Sequence, residues 1–205
     1  MTDETRPPVG RTRPAADHAR SDTDRQHRRT DTGRQIEDQR SGGAPTVLTD
    51  TREKRPWTFD GVPVETRTET LSTGDYALSS HCEYDPEADT YHPRFAVERK
   101  SGGDFLTAIT WDRERFCAEL ARAREWAEPL CVVVETPLAT LVAGRGCARD
   151  REVHPNQILG TLAAWHQQYN VRFVFAESRG RAERTGLLLL ERHRLRRVAG
   201  EREPD

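Results

Sequence analysis

Hydrophobic residues come late in this chain. Between Met1 and Gly43 the only sizeable apolar residues are Met1, Val9 and Ile36, scattered among Arg, Asp, Thr, Gly and Pro. Such a stretch cannot bury enough surface to offset its chain entropy, so residues 1–44 are expected to form a disordered leader ahead of one domain over 45–200. From Ala44 onwards the pattern changes. Thr46–Asp50 reads as a first strand, and the alternation of Val62, Val64, Thr66, Thr68 and Thr70 predicts a second over 62–71. Gly74 supplies a turn, Tyr76-Ala77-Leu78 opens a third strand, and Arg94–Lys100 forms a fourth. Ser101-Gly102-Gly103-Asp104 starts a helix through Ile109, and Phe116, Leu120 and Ala123 recur at helical spacing over 113–127. The unbroken apolar run Leu130–Val134 predicts a strand covered on both faces. Pro155 suits the first turn of a helix carrying Ile158, Leu159 and Leu162. A strand over 171–175 and a helix from about 181 to 198 complete the order. Strands gathered early, then alternating with helices, predict an α/β fold with a mixed central sheet flanked by helices.

Composition changes this picture little. The 205 residues contain 34% apolar and 32% charged positions, and the polar excess sits mostly in the leader. A net charge of −2 is not the basic footprint of most nucleic-acid binders, although Arg192-His193-Arg194-Leu195-Arg196-Arg197 is locally basic. No apolar run nears the roughly 20 residues that span a bilayer, and no secretory signal is visible. Cys82, Cys117, Cys131 and Cys147 are widely spaced without a C-x-x-C pair, so a reduced cytoplasmic protein is expected, nucleoid-associated or nuclear according to its cell.

Candidate chemistry lies in two short strings. In a strand, side chains alternate faces, so Phe95, Val97 and Arg99 point one way and Ala96, Glu98 and Lys100 the other. Glu98 and Lys100 then share a face, and Asp75 from the neighbouring segment would complete a hard-oxygen pocket for Mg2+ or Mn2+. Lysine is scarce here: of 32 basic residues only Lys54 and Lys100 are lysines. A compact ammonium kept beside two acids suits attack of water on a phosphodiester. Taken singly, Asp75 after a glycine could be an ordinary turn residue and Asp50 a strand end.

The order of these strings resembles the nuclease domain of the XPF family, a branch of the PD-(D/E)XK, restriction-endonuclease-like superfamily. Its G-D-x(n)-E-R-K-x-x-x-D hallmark is matched by Gly74-Asp75, Glu98-Arg99-Lys100 and Asp104. An upstream D-x-R-E is matched by Asp50-Thr51-Arg52-Glu53, an Arg-aromatic helix start by Arg115-Phe116, and an apolar strand ending in an acid by Val132–Glu135. The resemblance implies a metal-dependent, structure-selective DNA endonuclease acting in repair or recombination. Asp75 and Glu98 would be the principal metal ligands, helped by the carbonyl of Arg99, with Asp50 a further ligand and Glu53 adding charge. Lys100 would orient water or neutralise a phosphate oxygen.

Strand parity turns Arg99 away from the metal, towards an ion pair with Asp104 or a role in shaping the DNA path. Arg113 and Arg115 are candidate phosphate contacts, equally readable as plain surface, and Trp111 could stack on a base or pack beside the helix start. The polar stretch 79–93 lengthens the gap between Asp75 and Glu98 beyond the family pattern. It reads as a flexible hairpin tip near the active site in preference to a second metal site. No tandem helix-hairpin-helix module is visible. Family resemblance also suggests branched or duplex DNA as partner and a homodimer or heterodimer through the C-terminal helix, where Leu187–Leu190 could equally cover the sheet. The competing function is a non-catalytic DNA-binding or dimer-scaffold subunit of the same fold, against which the acids and lysine argue.

Overall fold

A computed structural model of the chain describes residues 44–144 and 153–200. Residues 1–43 of the leader expected over 1–44, and Cys147, lie outside the described residues. Eight strands and five helices follow in chain order. They are β1 (Thr46–Asp50), β2 (Glu65–Glu69), β3 (Tyr76–Leu78), β4 (Cys82–Asp85), β5 (Thr90–Pro93) and β6 (Val97–Lys100), then α1 (Gly102–Ile109) and α2 (Arg113–Arg122). β7 (Leu130–Val134), α3 (Leu138–Val142), α4 (Pro155–Gln168), β8 (Val171–Phe175) and α5 (Arg179–Gly200) complete the domain.

Six strands form one mixed sheet in the order β2-β1-β3-β6-β7-β8, while β4 and β5 pair only with each other. β3 runs antiparallel to both β1 and β6; the β1–β2, β6–β7 and β7–β8 pairs are parallel. The C-terminal ends of β1, β6 and β7 therefore meet the N-terminal end of β3 at one end of the central strands.

The alternation in β7 divides the core. Leu130, Val132 and Val134 join Phe105, Ile109, Phe116, Leu120, Ile158 and Trp165 on the face covered by α1, α2 and α4. Cys131 and Val133 join Trp57, Tyr76, Phe95, Val97, Leu187 and Leu190 on the other, beneath α5. All five residues of β7 are buried, as an apolar run between two helical layers requires. Gly186 admits the Trp57 ring to α5, since a Cβ there would lie 2.5 Å from a ring carbon.

Three expectations change. The strand expected over 62–71 shrinks to Glu65–Glu69, because Pro63 has no N–H for a ladder and biases Val62 away from the helical region, where a tight Val64 N–Val62 O bond forms instead. The helix expected to reach Ala127 stops at Arg122. The strand expected over 94–100 begins only at Val97. The polar stretch 79–93 holds a short 3-10 turn, Ser79–His81, and then the expected hairpin, with Cys82 opposite Pro93 and Asp85 opposite Thr90.

Candidate active site

Asp75 is pinned from three sides. Its N–H donates to Val97 O on β6 (2.9 Å), its carbonyl accepts from Asp50 N on β1 (2.8 Å), and Oδ2 accepts from Arg99 N (2.8 Å). Gly74 makes this approach possible. It sits at φ +81°, and a Cβ there would come within 2.6 Å of the Ala96 Cβ. The strand parity read from the sequence holds: Ala96 belongs to the α1–α2 side of the core, and Phe95 and Val97 belong to the α5 side.

Glu98 is buried, 3% exposed, at the base of a cavity of about 690 Å3 lined also by Asp75, Lys100, Ser101, Arg115, Glu119 and Arg122. One carboxylate oxygen, Oε1, accepts from Lys100 Nζ; the other, Oε2, is buried without a donor, and the Glu119 carboxyl that reaches Glu98 can bond to it only by sharing a proton. Lys100 Nζ also lies 4.7 Å from the centre of the Phe116 ring, so an aromatic face and a carboxylate hold it together.

The electrostatics are those of an over-filled anionic pocket. Burial pushes the Asp75 carboxyl up to about 7, with Glu53 and Glu119 adding to the rise and Lys100 and the Arg99 N–H opposing it. Burial also pushes Glu98 well above its usual range, and Asp75 and Glu119 push it further against the pull of Lys100. For Lys100, burial favours the neutral amine, but Glu98, Glu119 and Asp75 outweigh it and hold the ammonium. Three carboxylates against one ammonium repel unless protons or a cation intervene. The donor set fits a hard divalent cation, because Glu98 Oε2 is oxygen, buried and unsatisfied beside Asp75. Among the described residues, no three acid, histidine or cysteine side chains converge as a metal-holding group. The remaining ligands would come from water, backbone carbonyl and phosphate, as Mg2+ commonly takes them.

Asp50 lines the same cavity as that pair, but its carboxylate is already engaged. Its Oδ1 accepts from Arg52 N (2.9 Å) and Nε (2.6 Å), and its Oδ2 accepts from Arg52 Nη2 (3.1 Å) and Leu71 N (2.8 Å). Four donors occupy the carboxylate, and it closes the turn after β1. Glu53 lies near enough to raise Asp75, but both its oxygens accept from Arg99 Nη1 at 3.3 Å.

Arg99 also lines the cavity, but its partners are Glu135 and Glu53 and not Asp104. Its guanidinium, 6% exposed, grips Glu135 through Nε–Oε1 (2.7 Å) and Nη2–Oε2 (2.8 Å) while touching Glu53. Asp104 instead accepts from Ser101 Oγ (2.6 Å), whose oxygen caps α1 by accepting from Asp104 N. Glu135 also accepts from Trp57 Nε1 (3.0 Å) and Arg179 Nη1 (2.9 Å). Burial pushes the Glu135 carboxyl up, yet Arg99, Trp57 and Arg179 together hold it below its usual range. Arg179 Nη2 further donates to the carbonyls of Arg55 and Pro56, tying the loop after β1 to the start of α5.

The two arginines of α2 part company. Arg113 donates to Thr161 Oγ1 (3.0 Å) and stacks over Trp165 at 5.3 Å, so it is turned into the helical layer and does not line the cavity. Arg115 is exposed at the cavity wall, paired with Asp112 at 2.7 Å. Trp111 is 69% exposed and does not pack as a core residue. No residue of the β4–β5 hairpin lines the cavity, which corrects its expected place beside the site. Sequence reasoning missed Glu119, although its position four residues after Arg115 and three before Arg122 puts all three on one stripe of α2. It also missed Arg179, for which no local pattern gives a signal.

The comparisons with known proteins come to the same region. The model of the ERCC4 domain matches residues 49–184, more than half of the chain. Among solved structures, XPF from Aeropyrum pernix is 22% identical with a TM-score of 0.47, covering 73% of this chain, which spans 65% of that one. A second, XPF from Aeropyrum pernix in complex with DNA, is 23% identical with a TM-score of 0.48 and coverages of 78% and 68%. No curated protein matches. From Asp50 and Asp75 through Glu98–Lys100 to Glu135, the acids and bases described above fall inside the matched span, and the chain belongs to the ERCC4 domain family.

Proposed function

We propose that this protein is a divalent-metal-dependent endodeoxyribonuclease that hydrolyses phosphodiester bonds of branched or duplex DNA. The observation that carries the reading is the buried Glu98 beside the half-buried Asp75, with one Glu98 oxygen lacking a donor and a captive ammonium at its rim. Asp75 and Glu98 would hold Mg2+ or Mn2+. When bound, that ion neutralises the pair, acidifies a coordinated water and stabilises charge on the phosphate. Lys100 stays protonated, and the Phe116 ring and Glu98 restrict where it can reach. It is placed to orient the attacking water or to neutralise a non-bridging phosphate oxygen. Asp50 and Glu53 act through others: Asp50 shapes the turn, and Glu53 keeps Arg99 and the loop after β1 in register. The family resemblance supports a role in DNA repair or recombination.

Incubating the full chain with single-stranded, duplex, flap and four-way DNA, with and without Mg2+, tests the reading. Nicking that requires the cation is expected. Tight binding of forked DNA with no nicking under Mg2+ or Mn2+ would instead favour the scaffold-subunit reading.

The two α2 arginines give a paired prediction. Arg115→Ala is expected to weaken binding to all DNA sequences alike and to reduce the salt slope of log Kd by roughly 1, as loss of one phosphate contact does. Arg113→Ala should leave that slope unchanged and lower thermal stability, because it removes a bond to Thr161 and a cation–aromatic contact with Trp165. Salt-dependent fluorescence anisotropy and thermal melts of both variants decide the assignment. Dimerisation is proposed through α5: Leu187 and Leu190 are consumed by the sheet, leaving Leu188 and Leu195 each 51% exposed. Light scattering that finds only monomer at micromolar concentration counts against it.

A further inference from the structure

A second cavity lies at the opposite end of the sheet from the acidic one. Its volume is about 130 Å3 and its lining is Ser80, His81, Cys82, Arg94, His193 and Arg197. This is room for about four waters at ~30 Å3 each. Ser80 and His81 follow β3 and Arg94 precedes β6, whereas Asp75 precedes β3 and Lys100 ends β6.

Among its lining residues there is no carboxylate, while two arginines, two imidazoles and a hydroxyl face it. His193 is 4% exposed, stacked on Phe95 at 4.4 Å and edge-on to His81 at 4.8 Å, which fixes its ring plane. Its Nε2 is buried without a hydrogen-bond partner. A buried imidazole nitrogen with no partner costs stability unless something supplies the missing contact. Glu128, the nearest acid acting on His193, is drawn to Arg196 at 3.7 Å.

The donors select the ligand. Cys82 Sγ donates to Leu78 O (3.3 Å), and burial pushes its thiol up to about 12, so it offers no thiolate to a soft metal. Burial, the neighbouring imidazole and Arg197, Arg194 and Arg94 push His81 down to about 4, and His193 is also lowered. Both rings are therefore neutral at pH 7, and an anion placed between them would draw protons back on.

We propose that this pocket is a phosphate-binding site, in which Arg94, Arg197 and the two histidines grip one phosphate group of a DNA backbone or a free phosphate. Arginine forks match phosphate oxygens, and His193 Nε2 would supply a donor at the base. The site does not rest on the nuclease reading, because none of its residues lines the acidic cavity.

The test follows the imidazole NMR signals of His81 and His193 in the full chain, without divalent cations, at constant ionic strength set with chloride. Titration with inorganic phosphate is expected to move both signals saturably, and the Arg94→Gln, Arg197→Gln double variant to weaken that binding at least tenfold. Both arginines are exposed, so the double variant should fold; its unchanged melting temperature in chloride serves as the control. A parallel titration with duplex DNA separates the sources. If DNA moves the same two signals and the double variant flattens its salt dependence, the occupant is a backbone phosphate. If only inorganic phosphate moves them, it is the free anion. Absence of a saturable shift with both ligands, or an equal shift in the double variant, overturns the proposal.

Discussion

Glu98→Gln is expected to abolish Mg2+-dependent cleavage, lowering the rate by about three orders of magnitude, or ~4 kcal/mol of transition-state stabilisation. The fold should survive. In the cation-free protein Glu98 is pushed towards its neutral form, and a glutamine has nearly the same shape and no charge. The variant also removes one member of the crowded Asp75–Glu98–Glu119 set. Melts give a readout independent of catalysis. Wild-type protein should gain stability with Mg2+, by about 2.7 kcal/mol at a hundredfold excess over Kd, and Glu98→Gln should gain little. The pH dependence has a definite sign. Burial pushes the Asp75 carboxyl of the folded protein up to about 7 from the ordinary value of 3.8, so the folded state binds its proton more tightly. Its contribution to cation-free stability is whole below about 4 and is lost as pH rises towards 7. Mg2+ should reverse this loss at neutral pH. Cleavage by the variant within tenfold of wild type would refute the assignment of Glu98.

Arg99→Ala is expected to be the most damaging substitution to stability, at about 3–5 kcal/mol, because in a desolvated site it strips Glu53 of its ion pair and leaves Glu135 only Trp57 and Arg179. For a domain of this size the melting temperature should fall by roughly 10 °C. Arg99→Lys should recover only part of this, since an ammonium cannot make the two parallel bonds to Glu135. The salt slope of DNA binding by Arg99→Lys should match wild type. A slope reduced by about 1 without loss of stability would return Arg99 to the DNA interface. Arg99 and Arg115 thus carry opposite signatures, although sequence context alone made both candidate DNA contacts.

Much of the site was legible because it depends on local periodicity. Two-residue alternation places Glu98 and Lys100 on one face of β6 and Arg99 on the other, whatever the sheet order. The apolar run of β7 required covering on both sides, and α1–α4 and α5 provide it. Gly74 before Asp75 marked a turn, and its positive φ and contact with Ala96 explain why no larger residue fits there. The hairpin of β4 and β5 was less legible. Its strands carry Glu, Asp, His and Thr and form a separate two-stranded sheet, so hydrophobic alternation is weak.

Chain chemistry therefore determined which residue types share a face of a strand, where the turns fall, and that an acid and a lysine stand together at a strand end. Tertiary structure alone decided which acids remain available. Asp50 and Glu53 look equivalent to Asp75 in sequence, yet Arg52 and Leu71 occupy the first and Arg99 the second. The same holds for Glu135, bound by an arginine 44 residues away. Hydrogen-bond partners brought together by folding are set by strand order and helix placement. A buried carboxylate that has found its donors has little left to offer a cation, whereas Glu98 keeps one oxygen unspent.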